Sequence, residues 1–181
     1  MPKKFLEKTI TIITNEDERE NSSMTEEAVI LEKNQILNYL RMTPPFVFVD
    51  HAEVIPGQSG KGYRDFPENE WFFECHFPND PIVPGAFQLE CIMQTGLLCM
   101  HALNDPDLDI IYASKFINVD LLNGVRPNDR LFMETEIKSF RRGLAKAEGK
   151  AFLIKNDKKI LTCKAEFQMV MPAVMAKFMP S

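Results

Sequence analysis

Apolar positions along this chain change their period several times, and the changes divide it into elements. Over residues 3–14 they alternate weakly around Ile10, Ile12 and Ile13, then yield to the polar run 15–23, so this stretch reads as an extra edge strand or a loose arm. Ser23-Met-Thr-Glu26 has capping-box spacing, and Val29, Ile36 and Leu40 then recur on about one face. That predicts a helix, stopped by Pro44-Pro45. Phe46-Val-Phe-Val49 opens a strand expected to run to Ile55, where Pro56-Gly57 supplies a turn. A second strand is expected over 59–66, and loop signals at 67–70 lead into the aromatic cluster Trp71-Phe72-Phe73.

From Pro84-Gly85 to about Leu103 the composition is helical and apolar residues fall on nearly every side. A helix apolar all round is a buried one. Asn104-Asp105-Pro106 closes it. The remainder reads as strands at about 110–119, 130–140, 145–154 and 159–169. Glu134, Glu136 and Lys138 alternate with Met133, Thr135 and Ile137, the period-two pattern of a half-exposed strand, and Asn156-Asp157 suggests a hairpin connection. Strands, one buried helix, then more strands indicate an α+β domain with an antiparallel sheet wrapped on that helix.

Composition narrows the function classes. The length of 181 residues suits one medium domain. A formal net charge of −5 argues against nucleic acid as the main partner. No apolar run reaches the length of a membrane span, and Met1-Pro-Lys-Lys-Phe-Leu-Glu-Lys8 lacks the apolar stretch of a secretory signal, so a cytoplasmic location is expected. Cys75, Cys91, Cys99 and Cys163 form no Cys-x-x-Cys pair and no zinc-ligand spacing with His51, His76 and His101, so reduced, mostly buried thiols are expected and no metal.

The chemistry concentrates in Glu74-Cys-His-Phe-Pro-Asn-Asp-Pro-Ile-Val-Pro-Gly85, continuing through Glu90 to Gln94. Pro78, Pro81 and Pro84 stiffen this loop, and Pro84 fits the first helical position. Gly85 leaves room for close approach to the backbone, and free amides at a helix start can hydrogen-bond an oxygen that gains negative charge. Glu90 lies about one and a half turns into the apolar helix with Gln94 one turn later on the same face. A carboxyl buried there would have its pKa raised and could donate a proton to a leaving hydroxide, while a histidine such as His76 suits removal of a proton alpha to a thioester. Taken singly, the residues favour plainer roles: His76 as a hydrogen-bonding loop residue, Glu90 as a buried group held by Gln94.

The segment as a whole changes that balance. His76-Phe-Pro-x-x-Pro-x-x-Pro-Gly85 with Glu90 and Gln94 resembles the signature of the 3-hydroxyacyl-ACP dehydratases of fatty acid synthesis (the FabZ type). Pro45-Phe-Val-Phe-Val-Asp50, Asn69-Glu-Trp-Phe-Phe73, Val125-Arg-Pro-Asn-Asp129 and Arg141-Arg-Gly-Leu144 extend the likeness over residues 34–170, leaving 1–33 as an N-terminal extension. The resemblance implies a hot-dog fold, a homodimer or trimer of dimers, and an active site at the dimer interface where His76 of one subunit faces Glu90 of the other. It implies Gly85 as the oxyanion donor, an apolar acyl tunnel to which Trp71, Phe72 and Phe87 contribute, Gln94 beside them, and no cofactor. Its sister type, which also isomerises the double bond, carries aspartate at the glutamate position, so Glu90 implies plain dehydration.

Two stretches depart from the family pattern. Arg41-Met-Thr-Pro-Pro-Phe46 replaces a His-Arg-Tyr-Pro-Phe opening, and Asp120-Leu-Leu-Asn-Gly124 replaces a basic Arg-Phe-Lys-Arg-Pro stretch. Basic residues outnumber acids between Arg126 and Lys164, and Arg141, Arg142 and Lys146 form a candidate docking patch for an acidic acyl carrier protein. Two other functions compete: a hot-dog thioesterase, which does not need the His-Phe-Pro loop, and a non-catalytic acyl-binding homologue, which has no chemical reason to keep both His76 and Glu90.

Overall fold

In the computed structural model, which describes residues 27–179, the chain runs β1 (Val29–Glu32), α1 (Lys33–Leu40), β2 (His51–Ile55), β3 (Ser59–Asp65), α2 (Gly85–His101), β4 (Tyr112–Leu121), β5 (Arg130–Arg141), β6 (Leu144–Lys155), β7 (Lys158–Val170) and α3 (Pro172–Ala176). Short 3-10 turns occupy Trp71–Glu74 and Pro106–Leu108. The strands form one antiparallel sheet in the order β1-β2-β3-β5-β6-β7-β4, so α2 is inserted between the first three strands and the last four. Asn156 and Asp157 both hold positive φ between the paired residues Lys155 and Lys158, a two-residue turn matched to strand twist.

The sheet closes on α2 because that helix has no polar face to leave outside. Cys91, Ile92, Leu97, Leu98, Cys99 and Met100 are all buried, and each fully buried leucine- or isoleucine-sized side chain is worth about 1.5–3 kcal/mol. Contact is close enough to dictate residue size. A Cβ on Gly149 of β6 would lie 2.2 Å from Ile92 Cγ2. Beside it Thr135 of β5 donates its hydroxyl to the Ile92 carbonyl at 3.0 Å, a bond from sheet to helix across the core. This is the hot-dog arrangement, an α+β sheet wrapped round one helix.

Four boundaries differ from those the sequence predicts. Val29 lies in β1, not in the first helix, which starts only at Lys33. Its capping box is Glu32 with Gln35, whose Oε1 accepts the Glu32 N–H at 2.9 Å, and the proposed Ser23–Glu26 box falls outside the described residues, as does the predicted strand or arm at 3–14. The strand expected from Phe46 begins at His51, because the backbone of Phe46 and Phe48 bonds the side chain of Gln94 instead of a neighbouring strand. The strand expected at 110–119 is displaced to Tyr112–Leu121, after the 3-10 turn at Pro106–Leu108. Pro84 caps α2 and Gly85 is its first residue, one place later than the proline rule suggests.

Candidate active site

The loop that carries His76 is braced at both ends. The 3-10 turn Trp71–Glu74 presents the Phe72 carbonyl, which accepts the N–H groups of His76 at 2.8 Å and Cys75 at 3.2 Å. At the far end Val83 N–H donates to Val125 O at 2.8 Å. Between them the Ile82 N–H donates to His76 O at 2.9 Å, and the half-buried imidazole faces the Ile82 carbonyl with Nδ1 at 2.9 Å. A carbonyl can only accept, so Nδ1 carries the hydrogen and Nε2 keeps a free lone pair. That leaves one ring nitrogen able to take a proton.

Glu90 sits five residues into α2, partly buried. Burial pushes its carboxyl above the ordinary range, and the hydrogen bond from Gln94 opposes this only in part. Gln94 is itself fully buried and fixed on both sides of its amide. Its Oε1 accepts the Phe48 N–H at 2.8 Å, and its Nε2 donates to Phe46 O at 3.2 Å and Glu90 Oε1 at 2.8 Å. The Phe48 donor decides which end of the amide is oxygen. Gln94 therefore aims Glu90, with no surface of its own open to a ligand.

Gly85, as the first residue of α2, has an amide with no partner inside the helix. A Cβ placed there would meet Leu121 Cδ1 at 2.4 Å, so only glycine lets that side chain, from the end of β4, lie over the helix start. The aromatic candidates divide. Phe72 lies in the core, while Trp71 is 54% exposed and Phe87 is half-buried. Phe87 joins them, its ring 5.2 Å from Phe72, 6.0 Å from Trp71 and 4.7 Å from Phe48.

His76 and Glu90 form no hydrogen bond or ion pair with each other within the chain; the first is bonded to Ile82, the second to Gln94. Arg141, Arg142 and Lys146 are exposed around the β5–β6 turn. Leu144 is level with Val170 and Tyr112, whereas Gly85 abuts Leu121, which pairs with Cys163, so the basic turn and the glycine stand at opposite ends of the bulged β4, about 23 Å apart at the strand rise of β7 between Val170 and Cys163. A depression of about 940 Å³ on the outer face of the sheet, lined by Lys61, Glu134, Glu148 and Lys150 among others, touches none of the catalytic candidates. Cys91 and Cys99 have thiols pushed far up by burial, Cys99 to about 12, and are inert. His51 stacks on Tyr63 and pairs with Glu32, and burial lowers the pKa of His101.

Several participants escape sequence reasoning. The Ile82 carbonyl and the Phe48 amide are backbone groups with no residue signature. Leu121 is visible only as an apolar residue in the stretch that departs from the family pattern.

The FabA-like domain family matches residues 42–164, which take in the loop, α2 and most of the sheet. The chain belongs to that family. Its relatives include the 3-hydroxyacyl-[acyl-carrier-protein] dehydratase FabZ of Myxococcus xanthus, 35% identical over 124 residues that span 67% of this chain and 81% of that one. The same enzyme of Chloroflexus aggregans is 30% identical over 138 residues, 76% of this chain and 93% of that one. The bifunctional enzyme LpxC/FabZ of Bacteroides thetaiotaomicron is 31% identical over 140 residues, but the chain spans only 30% of its length. Among solved structures, the dehydratase heterocomplex ApeI:P of Xenorhabdus doucetiae superposes with a TM-score of 0.60 at 11% identity, covering 76% of this chain and 90% of that one. An uncharacterized protein of Pyrococcus horikoshii gives 0.55 at 12%, covering 79% and 94%. Both share the fold.

Proposed function

We propose that this protein is a hydro-lyase that dehydrates a 3-hydroxyacyl thioester carried on acyl carrier protein to the trans-2-enoyl thioester. The observation that carries this reading is the division of labour between two environments. His76 spends Nδ1–H on Ile82 and keeps Nε2 free as a base, while burial favours the protonated acid form of Glu90. Nε2 removes the proton from C2, and the electron pair of that bond becomes the C2=C3 double bond. The C3–O bond breaks as Glu90 gives its proton to the departing hydroxyl, releasing water. The Gly85 amide hydrogen-bonds the thioester oxygen as charge builds there. Exposed Trp71 and half-buried Phe87 offer apolar surface to the acyl chain.

The two acid–base residues come from two chains in this reading. Among the described residues β4 is a ten-residue edge strand, paired with β7 on one side only and bearing exposed Tyr112, Phe116, Val119 and Leu121, a liability unless covered. Antiparallel pairing of two such edges about a two-fold axis sets the Tyr112 end of one chain beside the Leu121 end of the other. The basic turn with Arg141, Arg142 and Lys146 then lies near the neighbour's Gly85, which suits a carrier docked across the interface. Dimer or trimer of dimers, a cytoplasmic location and residues 1–33 as an extension of the catalytic domain complete the proposal; among the described residues no helix is long and apolar enough to cross a membrane.

Mass spectrometry of 3-hydroxyacyl carrier protein incubated with the chain tests the reaction. Loss of one water is expected, falling by about 10²-fold or more in His76→Ala and Glu90→Gln. Release of free acid would identify a thioesterase, and an unchanged carrier at every chain length would identify a binding protein.

A further inference from the structure

We infer that Arg64 is a positioning residue that holds the supports of both acid–base groups at once, an inference that rests on the roles proposed for His76 and Glu90. Arg64 lies near the end of β3 with its side chain only 11% exposed. Its Nη1 donates to both carboxylate oxygens of Asp50, at 3.1 and 3.0 Å, and its Nη2 donates to Glu70 Oε1. Asp50 also accepts the Asp65 N–H at 2.9 Å and Lys33 Nζ at 2.8 Å. Two cations and two carboxylates therefore close a neutral, mostly buried cluster, and burial's push on Asp50 is outweighed by these donors, which leave its pKa lowered.

Two routes lead out of that cluster. Asp50 ends the irregular strap 46–50, whose Phe48 amide and Phe46 carbonyl clamp Gln94, which in turn donates to Glu90. Glu70 precedes the 3-10 turn Trp71–Glu74; its carbonyl accepts the Phe73 N–H at 3.0 Å, and in that turn Phe72 O accepts the His76 N–H. One guanidinium thus ties the strap behind the acid to the turn beneath the base. A planar fork can serve two carboxylates in fixed directions, which a lysine ammonium cannot. Stability alone does not account for the arrangement. Buried charges give back most of their attraction as desolvation, and Arg64 Nε is buried without a partner among the described residues.

The test compares Arg64→Lys, Asp50→Asn and Glu70→Gln with the parent by thermal melt, by rate against pH, and by amide hydrogen exchange at Phe48 and His76. Asp50→Asn is expected to loosen the strap and admit water to Glu90. Its raised pKa then relaxes and the alkaline limb of the pH–rate profile moves to lower pH, with faster exchange at Phe48 only. Glu70→Gln is expected to lower kcat with KM and that limb unchanged, and to speed exchange at His76 only. Arg64→Lys should do both, with kcat down about tenfold or more. A melting point lowered by Arg64→Lys with kcat and the alkaline limb unchanged would reduce Arg64 to a structural ion pair. Faster exchange confined to one segment, or in neither, would overturn the coupling. His76→Ala and Glu90→Gln run alongside: full activity in those two would sink the proposed site, while the exchange pattern would still decide whether Arg64 holds both segments.

Discussion

His76 and Ile82 are bonded to each other twice: the imidazole Nδ1 meets the Ile82 carbonyl at 2.9 Å, and the Ile82 N–H returns to the His76 carbonyl at 2.9 Å. The pair closes the proline-stiffened loop on itself and selects the ring tautomer. Nitrogen-15 spectra of the neutral imidazole should therefore show the hydrogen on Nδ1 and a bare Nε2. A hydrogen found on Nε2 would remove the base from the proposed mechanism.

Glu90 ties activity against stability. Burial raises its carboxyl above the ordinary value of 4.5, so the folded chain holds that proton more tightly than the unfolded chain does. The stabilising contribution of this group is full below pH 4.5 and is lost as pH rises through the folded value, above which the buried charge is a standing cost. Glu90→Gln removes the charge and keeps a group that Gln94 can bond. At pH 8 it should melt higher than the parent while losing dehydration, and the gap should close in calorimetry below about pH 4.5. A gap constant with pH would mean that Glu90 ionisation does not matter to the fold.

What could be read in advance follows from which interactions leave a pattern. The buried helix and the long strands were legible because burial on all sides and period-two alternation involve every residue of the element. The order of the sheet was not, since it depends on pairings between distant strands. Phe46–Val49 misled for a definite reason: its short run of aromatic and β-branched residues is that of a strand, yet a single buried glutamine takes its backbone bonds. His76, Gly85 and Glu90 stood out only together, as a spaced segment. Arg64 carried no local signal, because its meaning lies in Asp50 and Glu70 arriving from two other segments.

Gly149 tests how tightly the sheet grips α2. A methyl there would meet Ile92 Cγ2 at 2.2 Å with Thr135 Oγ1 at 3.0 Å and the Glu134 carbonyl at 3.2 Å. Gly149→Ala should cost about 1–3 kcal/mol in a denaturant titration. Ile92→Ala in the same chain should shrink that loss, a recovery read from the double-mutant cycle, since it deletes the colliding Cγ2 methyl. No recovery would place the strain in the β5 backbone.

Charge reversal at the basic turn separates carrier recognition from chemistry. Arg141→Glu, Arg142→Glu and Lys146→Glu combined should raise KM for a carrier-borne substrate about tenfold, more at low salt, and leave kcat with a short pantetheine thioester unchanged. Equal loss with both substrates would make the turn part of the fold and not a docking surface.

Gly85 joins the amide proposed for the oxyanion to the residue that covers it. Leu121 reaches within 2.4 Å of where a Cβ would stand, yet the contact is the tip of a flexible, 56% exposed side chain. Gly85→Ala should therefore fold with stability within about 1 kcal/mol of the parent, because alanine is the better helix former and Leu121 can swing aside. The displaced leucine and the new methyl both crowd the amide, so kcat/KM should fall about tenfold or more. Leu121→Ala added to Gly85→Ala restores room over the helix start, and steady-state kinetics should then show recovered activity with little change in melting temperature. If the double variant is no faster than Gly85→Ala, the methyl itself blocks the amide, and Leu121 has no part in access to it.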